Sequence, residues 1–493
     1  MTIETPLSRK RFLQSSAAVG GGLAIGGPLS ALAAQTAQGR APRAAGYGPI
    51  APMAAQDTGK VHIALPAGFK YRVASRQLDP STAYVTDPAT GQAVKTTLPT
   101  PGIFDGMGAY RGPRGTTVLI RNHEQRQQVG EPGVVVPIGD RYDANPRFTA
   151  GNTKVVVGRD REAIETIHIL GGTSTNCAGG ETPWGSWITC EEVFIAQSAT
   201  DLKHGYCFEI DAQANEPDPA VPIKAAGCFA HEAVAWHNGI LYETEDNGKP
   251  SGFYRWIPDR KPREFGDLAS SGGPLQAIRR KGQPGYDADT AATGDTFEVE
   301  WVTIPNPDPP TNTVKTQGTA LGMISFSRLE GCWVGEGKIY FDSTSGGPAR
   351  SGQVWEYDPR RQTLRLIYQS TDASVLQAPD NLVYVPHTGD IWLQEDGAGE
   401  QFVRGVTQDG KIYDFAQTIL NDSEFCGGCF SPDGNTFFLN QQGGTGVTNP
   451  ADVDAAGGVT YAIWGPFGGR NGRDDRDDDR RNGHGRGGRG GRD

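Results

Sequence analysis

Apolar residues in this chain come in short runs, each closed by a turn rich in glycine, and few long helices are expected from such a pattern. Six segments repeat one plan: a polar residue, a short apolar strand, a turn with glycine, a second strand, then an acidic or amide group. They run from Asp105 to Glu124, Asn176 to Glu192, His231 to Asp246, Arg328 to Asp342, Pro379 to Asp396 and Cys426 to Gln442. The turn chemistry predicts hairpins: His237-Asn238-Gly239, Gly335-Glu336-Gly337 and Pro432-Asp433-Gly434 each sit between β-rich runs. Divergent hairpins at blade-like spacing predict an all-β fold, a six-bladed β-propeller with irregular insertions. A pair of β-sandwiches competes, but it gives no reason for polar groups to recur at the same place in each repeat.

That recurrence carries the chemistry. In a propeller the innermost strands begin or end at the central channel, so equivalent positions converge. They hold Asp105, Cys177, Glu232, Glu330 and Asp380 at the hairpin entrances, and Glu124, Glu192, Glu245, Glu395 and Gln442 at the exits. Carboxylates gathered without counter-charges repel and desolvate at a cost of several kcal/mol each, which cations relieve. Oxygen ligands favour Ca²⁺ or Mg²⁺, and a thiolate adds a preference for iron, zinc or copper.

Composition sharpens this picture. Glycine supplies 68 of 493 residues, which suits many tight turns and close backbone approach, and no Gly-X-Y period is present. The formal charge of −11 argues against a nucleic-acid-binding surface on the body. Both ends stand apart. Ser8-Arg9-Lys10-Arg11-Phe12-Leu13-Gln14, a Gly/Ala-rich stretch and Ala31-Leu32-Ala33-Ala34 read as an export signal over residues 1–34. It resembles a twin-arginine (Tat) signal, with Lys10 in place of the second arginine. The expected propeller domain spans residues 35–466, and residues 467–493, rich in Arg, Asp and Gly, read as a disordered tail. The mature protein is expected to be exported through the Tat machinery to the periplasm or the extracellular space, without stable membrane insertion, as a monomer. Seven cysteines leave at least one outside any disulfide. For Cys426-Gly-Gly-Cys429 a local disulfide or two buried thiols is expected rather than a metal site.

The same segments resemble the PhoX family of exported alkaline phosphatases over roughly residues 60–445. The resemblance rests on Asp105-Gly106-Met107, Asn122-His123-Glu124, the block from Gly171 to Glu192, Ala230-His231-Glu232, Arg328-x-Glu330, Pro379-Asp380-Asn381-Leu382 and Phe430-Ser431-Pro432-Asp433-Gly434. It implies an iron–calcium centre on the propeller axis that hydrolyses phosphomonoesters, with phosphodiesters as a further substrate. By motif position Cys177, Glu232 and Glu330 would hold Fe³⁺. Glu124, Glu192 and Asp380 would hold Ca²⁺, and Arg328 would face the phosphate of a small ester substrate. The chain departs from the family at Asn440-Gln441-Gln442-Gly443-Gly444, where a His-Pro pair is missing, and at Leu329, which replaces a proline. Two rival readings remain at this point: a calcium-dependent propeller hydrolase of lactonase or phytase type, and a non-catalytic propeller stabilised by calcium. Neither needs Cys177.

Overall fold

All six expected hairpins form in the computed structural model, which describes residues 45–126 and 132–468. Their entry and exit strands are Phe104–Arg111 with Thr117–His123, Asn176–Glu181 with Ser186–Glu191, and His231–His237 with Ile240–Glu245. The others are Leu329–Gly335 with Lys338–Ser343, Pro379–Tyr384 with Ile391–Glu395, and Phe425–Phe430 with Phe437–Gln441. Each entry strand contacts the next, and the sixth contacts the first, so the six make a closed ring. Strands in such a ring are covered on both faces, which is why they read as short continuous apolar runs rather than as alternating ones. The longest helix among the described residues is Val314–Ala320. No helix among them is long and apolar enough to cross a membrane.

The fold is all-β and propeller-like, but the six hairpins fall into five sheets rather than six equal ones. The third and fourth hairpins occupy the two ends of a single nine-stranded sheet. The join lies at the periphery, where Thr296–Thr303 pairs with Thr363–Gln369 across the register Thr296 to Arg365. Insertions long enough to add an outer strand allow its free edge to be paired instead of left exposed.

The ring is sealed by the N-terminal segment. Lys70–Arg76 pairs antiparallel with Val459–Trp464, adding the outer strand of the sixth hairpin's sheet. Val61–Pro66 pairs with Ile412–Thr418 in the fifth hairpin's sheet. Aromatic side chains fill the wedge between those two sheets, with Trp392 stacked on Phe415 at 3.8 Å. Phe467, at the expected start of the tail, is only 2% exposed and packs against Phe69. The expected signal at residues 1–34 and the tail from residue 469 lie outside the described residues.

Candidate metal centre

One local irregularity recurs in every entry strand. The pairing register slips between Phe104 and Met107, Asn176 and Gly179, His231 and Val234, Leu329 and Cys332, Pro379 and Leu382, and Cys426 and Cys429. A β-bulge bends the strand and re-aims the side chain that it carries. Here it affects the second residue of the strand in five hairpins, namely Asp105, Cys177, Glu232, Glu330 and Asp380. In the sixth, Cys426 takes this place and the slip follows it at Gly427 and Gly428.

A bulge frees backbone groups that must be satisfied elsewhere. Neighbouring exit strands do this. Asn122 Nδ2 donates to the carbonyls of Cys177 and Ala178 at 2.7 and 2.8 Å. Thr244 Oγ1 donates to the Glu330 carbonyl at 2.5 Å, and Asn440 Nδ2 to the Asp105 carbonyl at 2.7 Å. Gln394 Oε1 accepts from Gly428 N at 2.6 Å. Each of these four side chains clamps the bulge of the next hairpin round the ring, which ties the first to the second, the third to the fourth, the fifth to the sixth and the sixth to the first.

Strand alternation decides the exits. The last residue of an exit strand turns into its own sheet, and the following residue faces the axis. Glu191 accepts from Ser174 N and Gly205 N, whereas Glu192 lines the central cavity. The expectation for Glu245 and Glu395 is therefore corrected. Glu245 accepts from Tyr254 Oη at 2.7 Å, and Glu395 from Gln377 N at 2.9 Å. Their neighbours Asp246 and Asp396 join the cluster instead. The signal was legible as a doublet, Glu-Glu, Glu-Asp, Glu-Asp and Gln-Gln, whose second member is the inward one.

All six sequence-nominated metal ligands converge. Ligand atoms of Cys177, Glu192 and Glu232 lie within 4.8 Å of one another, as do those of Glu232, Glu330 and Asp380, and those of Asp105, Glu124 and Cys177. Glu232 therefore belongs to both the cysteine group and the Glu330 group. Sequence reasoning missed a further set made by Asp105, Glu424 and Cys426. All seven cysteines are free thiols, so Cys426 and Cys429 are unbridged, and Cys426 donates to the Phe104 carbonyl at 3.0 Å. His123 stays out of the cavity: its ring nitrogens lie 3.0 Å from the Gly102 carbonyl and 2.8 Å from Thr153 Oγ1.

The cluster opens into a cavity of about 340 Å³ whose lining includes Glu124, Cys177, Glu192, Glu330, Asp380, Asp396 and Glu424. Two guanidiniums, Arg126 and Arg328, line it with them. Arg328 forks onto Asp246 Oδ2 at 2.8 Å and Glu330 Oε1 at 2.7 Å, with 42% of its side chain exposed. Arg126, missed in the sequence, bridges Glu124 and Glu192, reaching Glu192 Oε2 at 3.0 Å. Gln442 Nε2 ties Glu124 to Glu424 at 2.9 and 2.6 Å.

Electrostatically the cluster is unfinished. Burial, then the charges of Glu124 and Asp380, push the Asp105 carboxyl well up. Burial and the Asp380 and Glu192 charges do the same to Glu232, and burial with Asp246 and Asp380 to Glu330. Burial and the charges of Asp396 and Glu124 bring Asp380 to about 7. Asp105 Oδ1 and both Glu232 carboxylate oxygens are buried without a hydrogen-bond partner. Buried, mutually repelling, unpartnered oxygens are what a cation cluster would satisfy, and the donor set, two cysteine sulfurs among many carboxylates, suits metal cations.

Comparison with known proteins places the chain in a family and a fold. The family model of alkaline phosphatase PhoX matches residues 45–444. Among solved structures, PhoX of Pseudomonas fluorescens in complex with vanadate superposes with a TM-score of 0.62 at 18% identity, covering 86% of this chain and 98% of that one. A protein of unknown function from Dyadobacter fermentans covers 81% of this chain and 100% of its own, with a TM-score of 0.40 at 9% identity. No curated protein matches the chain. With the family model spanning most of its length, the chain belongs to the alkaline phosphatase PhoX family.

Proposed function

We propose that the axial cavity hydrolyses small phosphate esters at an iron–calcium centre, with Cys177, Glu232 and Glu330 holding Fe³⁺ and Glu124, Glu192 and Asp380 holding Ca²⁺. Membership of the family makes the chain a metal-dependent alkaline phosphatase. The observation that carries it is the sharing of Glu232 between the Cys177 and Glu330 groups, with ligand atoms within 4.8 Å in each. We read the nine-stranded sheet as two blades joined at their outer strands, which makes a six-bladed propeller of the closed ring.

Phosphoryl transfer needs positive charge around three oxygens and an aligned nucleophile more than it needs covalent help. Bound metals would supply most of that charge and a Lewis-acidic surface. The chain supplies the rest. Arg328 keeps Nη1 for a phosphate oxygen, while Asp246 and Glu330 hold the guanidinium in place through Nε and Nη2 before substrate arrives. Arg126 offers a second guanidinium across the cavity. The bulge clamps at four of the six junctions hold the carboxylates that they flank, which limits reorganisation during the reaction. Export through the Tat pathway to the periplasm or beyond belongs to the same reading, because the N-terminal motif fits delivery of a folded, metal-loaded protein.

Elemental analysis of folded protein together with p-nitrophenyl phosphate hydrolysis tests this. Iron and calcium are expected with activity, both iron and activity falling in Cys177→Ala. Vanadate, which the Pseudomonas fluorescens protein binds, is expected to inhibit. Calcium without iron in an active protein would overturn the iron assignment.

A further inference from the structure

Behind the axial centre lies a second cluster that the phosphatase reading does not use. Cys190 and Cys207 face each other directly across the strands Ser186–Glu191 and Cys207–Asp211, with their sulfurs 3.7 Å apart. His231 and Glu243 come from the two strands of the third hairpin. Ligand atoms of Cys207, His231 and Glu243 lie within 4.8 Å of one another. All four residues are 0% exposed. Alternation separates this cluster from the axis: Glu232 points inward, so its neighbour His231 points away.

The polar atoms here are unaccounted for. His231 Nδ1 lies 3.2 Å from Glu243 Oε2, yet neither it nor either Glu243 oxygen has a hydrogen-bond partner. A buried carboxylate left so is costly. The other imidazole nitrogen is occupied: Nε2 lies 3.2 Å from the Gly227 carbonyl, and the ring stacks on Phe229 at 3.6 Å. A ring nitrogen directed at a carbonyl is the usual arrangement behind a metal-bound histidine, and it leaves Nδ1 facing Glu243.

Spacing identifies the class of ion. Tetrahedral zinc has bonds of about 2.3 Å to sulfur and about 2.0–2.1 Å to nitrogen or oxygen. The corresponding tetrahedron edges are about 3.8 Å between sulfurs and about 3.3 Å between nitrogen and oxygen. Both observed separations, 3.7 Å and 3.2 Å, match these edges. We propose that Cys207, His231 and Glu243, closed by Cys190 whose sulfur lies 3.7 Å from that of Cys207, form a structural site for one tetrahedral, thiophilic divalent cation of the zinc class. It would tie the second hairpin to the third directly behind two axial ligands. Loading releases the two thiol protons, so affinity rises with pH.

The test uses the full, folded protein purified in the presence of zinc. About one equivalent of zinc per chain is expected to remain in Cys177→Ala, where the axial thiolate is absent, and in Cys429→Ser, whose buried thiol lies outside the cluster. Less than a tenth of an equivalent is expected in Cys207→Ser on the Cys177→Ala background. Cobalt-loaded Cys177→Ala should show a thiolate-to-cobalt charge-transfer band that this second substitution removes. Because Cys207→Ser could fail to fold, the zinc count and thiol labelling of Cys177→Ala itself provide an independent readout. Zinc-free Cys177→Ala whose Cys190 and Cys207 label as free thiols would overturn the proposal, and so would a Cys190–Cys207 disulfide in its mass spectrum. Iron and calcium content are read in the same elemental analysis of the wild-type protein, so failure here is distinguishable from failure of the axial assignment.

Discussion

At the scale of single residues, the site depends on where one side chain points. Cys177 and Asp105 sit at equivalent places in successive hairpins, 3.3 Å apart from Sγ to Oδ2, because each occupies a bulge. Arg328 shows what an exposed charge gains from neighbours. Its backbone adopts a left-handed φ of +56°, which places it just ahead of the Leu329 strand with its guanidinium on Asp246 and Glu330. Lysine keeps the charge but loses the fork. Arg328→Lys is therefore expected to lower kcat/KM about 10–100-fold, in line with ~1.5–3 kcal/mol for a hydrogen bond to a charged group. Steady-state kinetics on p-nitrophenyl phosphate with unchanged metal content would check it. The sequence made Arg328 legible through its motif. Arg126 carried no such signal, since nothing in Glu124-Gln125-Arg126 indicates that the arginine turns back toward Glu124 and across to Glu192.

At the scale of elements, entry strands approach so closely that some positions have no space for a side chain. A Cβ on Gly331 would lie 2.6 Å from Leu382 N and 2.8 Å from the Asp380 carbonyl of the next hairpin. A Cβ on Gly427 would lie 2.3 Å from the Asp105 carbonyl, at the seam where the ring closes. Gly331→Ala is expected to destabilise by ~1–3 kcal/mol, as overpacked sites do, and to weaken metal binding because Asp380 must move. Gly139→Ala serves as the comparison, since a Cβ there meets nothing within 4 Å, and it should fall within about 0.5 kcal/mol of the parent. Urea unfolding of the two variants decides the point. Hairpin turns were legible because Asn-Gly and Asp-Gly specify their backbone locally. The bulges were not, because a register slip follows from the pairing of two strands and from the neighbour that clamps it.

At the scale of the whole molecule, acids from five hairpins and Glu424, just ahead of the sixth, meet on one axis, so metals and fold are coupled. In the metal-stripped protein the buried carboxyls hold protons that the unfolded chain would release. Asp380, with its ordinary value near 4, titrates at about 7 in the fold. Between those values the folded state binds more protons than the unfolded one, so stability falls as pH rises through that window. Metal-stripped protein is thus expected to melt at a lower temperature at pH 8 than at pH 5. Metal-loaded protein should reverse the order, because cations replace the protons and bind better once the carboxyls ionise. At metal concentrations a thousandfold above Kd the gain is about 4 kcal/mol for each site. Calorimetry at both pH values, with and without chelator, measures it. A chelated protein equally stable at pH 5 and pH 8 would contradict the coupling.

The chain by itself determined the six hairpins and the chemistry that they carry, because turn residues and strand periodicity act over a few positions. It also carried six of the clustered side chains, since the repeat places them at matching offsets. Tertiary structure alone decided which member of each exit doublet faces the axis, as Asp246 does in place of Glu245 and Asp396 in place of Glu395. It alone joined the third and fourth hairpins into one sheet, sealed the ring with Lys70–Arg76 and brought Cys207, beside Cys190, to His231 and Glu243. Those outcomes depend on strand register and on which edges meet, and neither is fixed until distant segments pack.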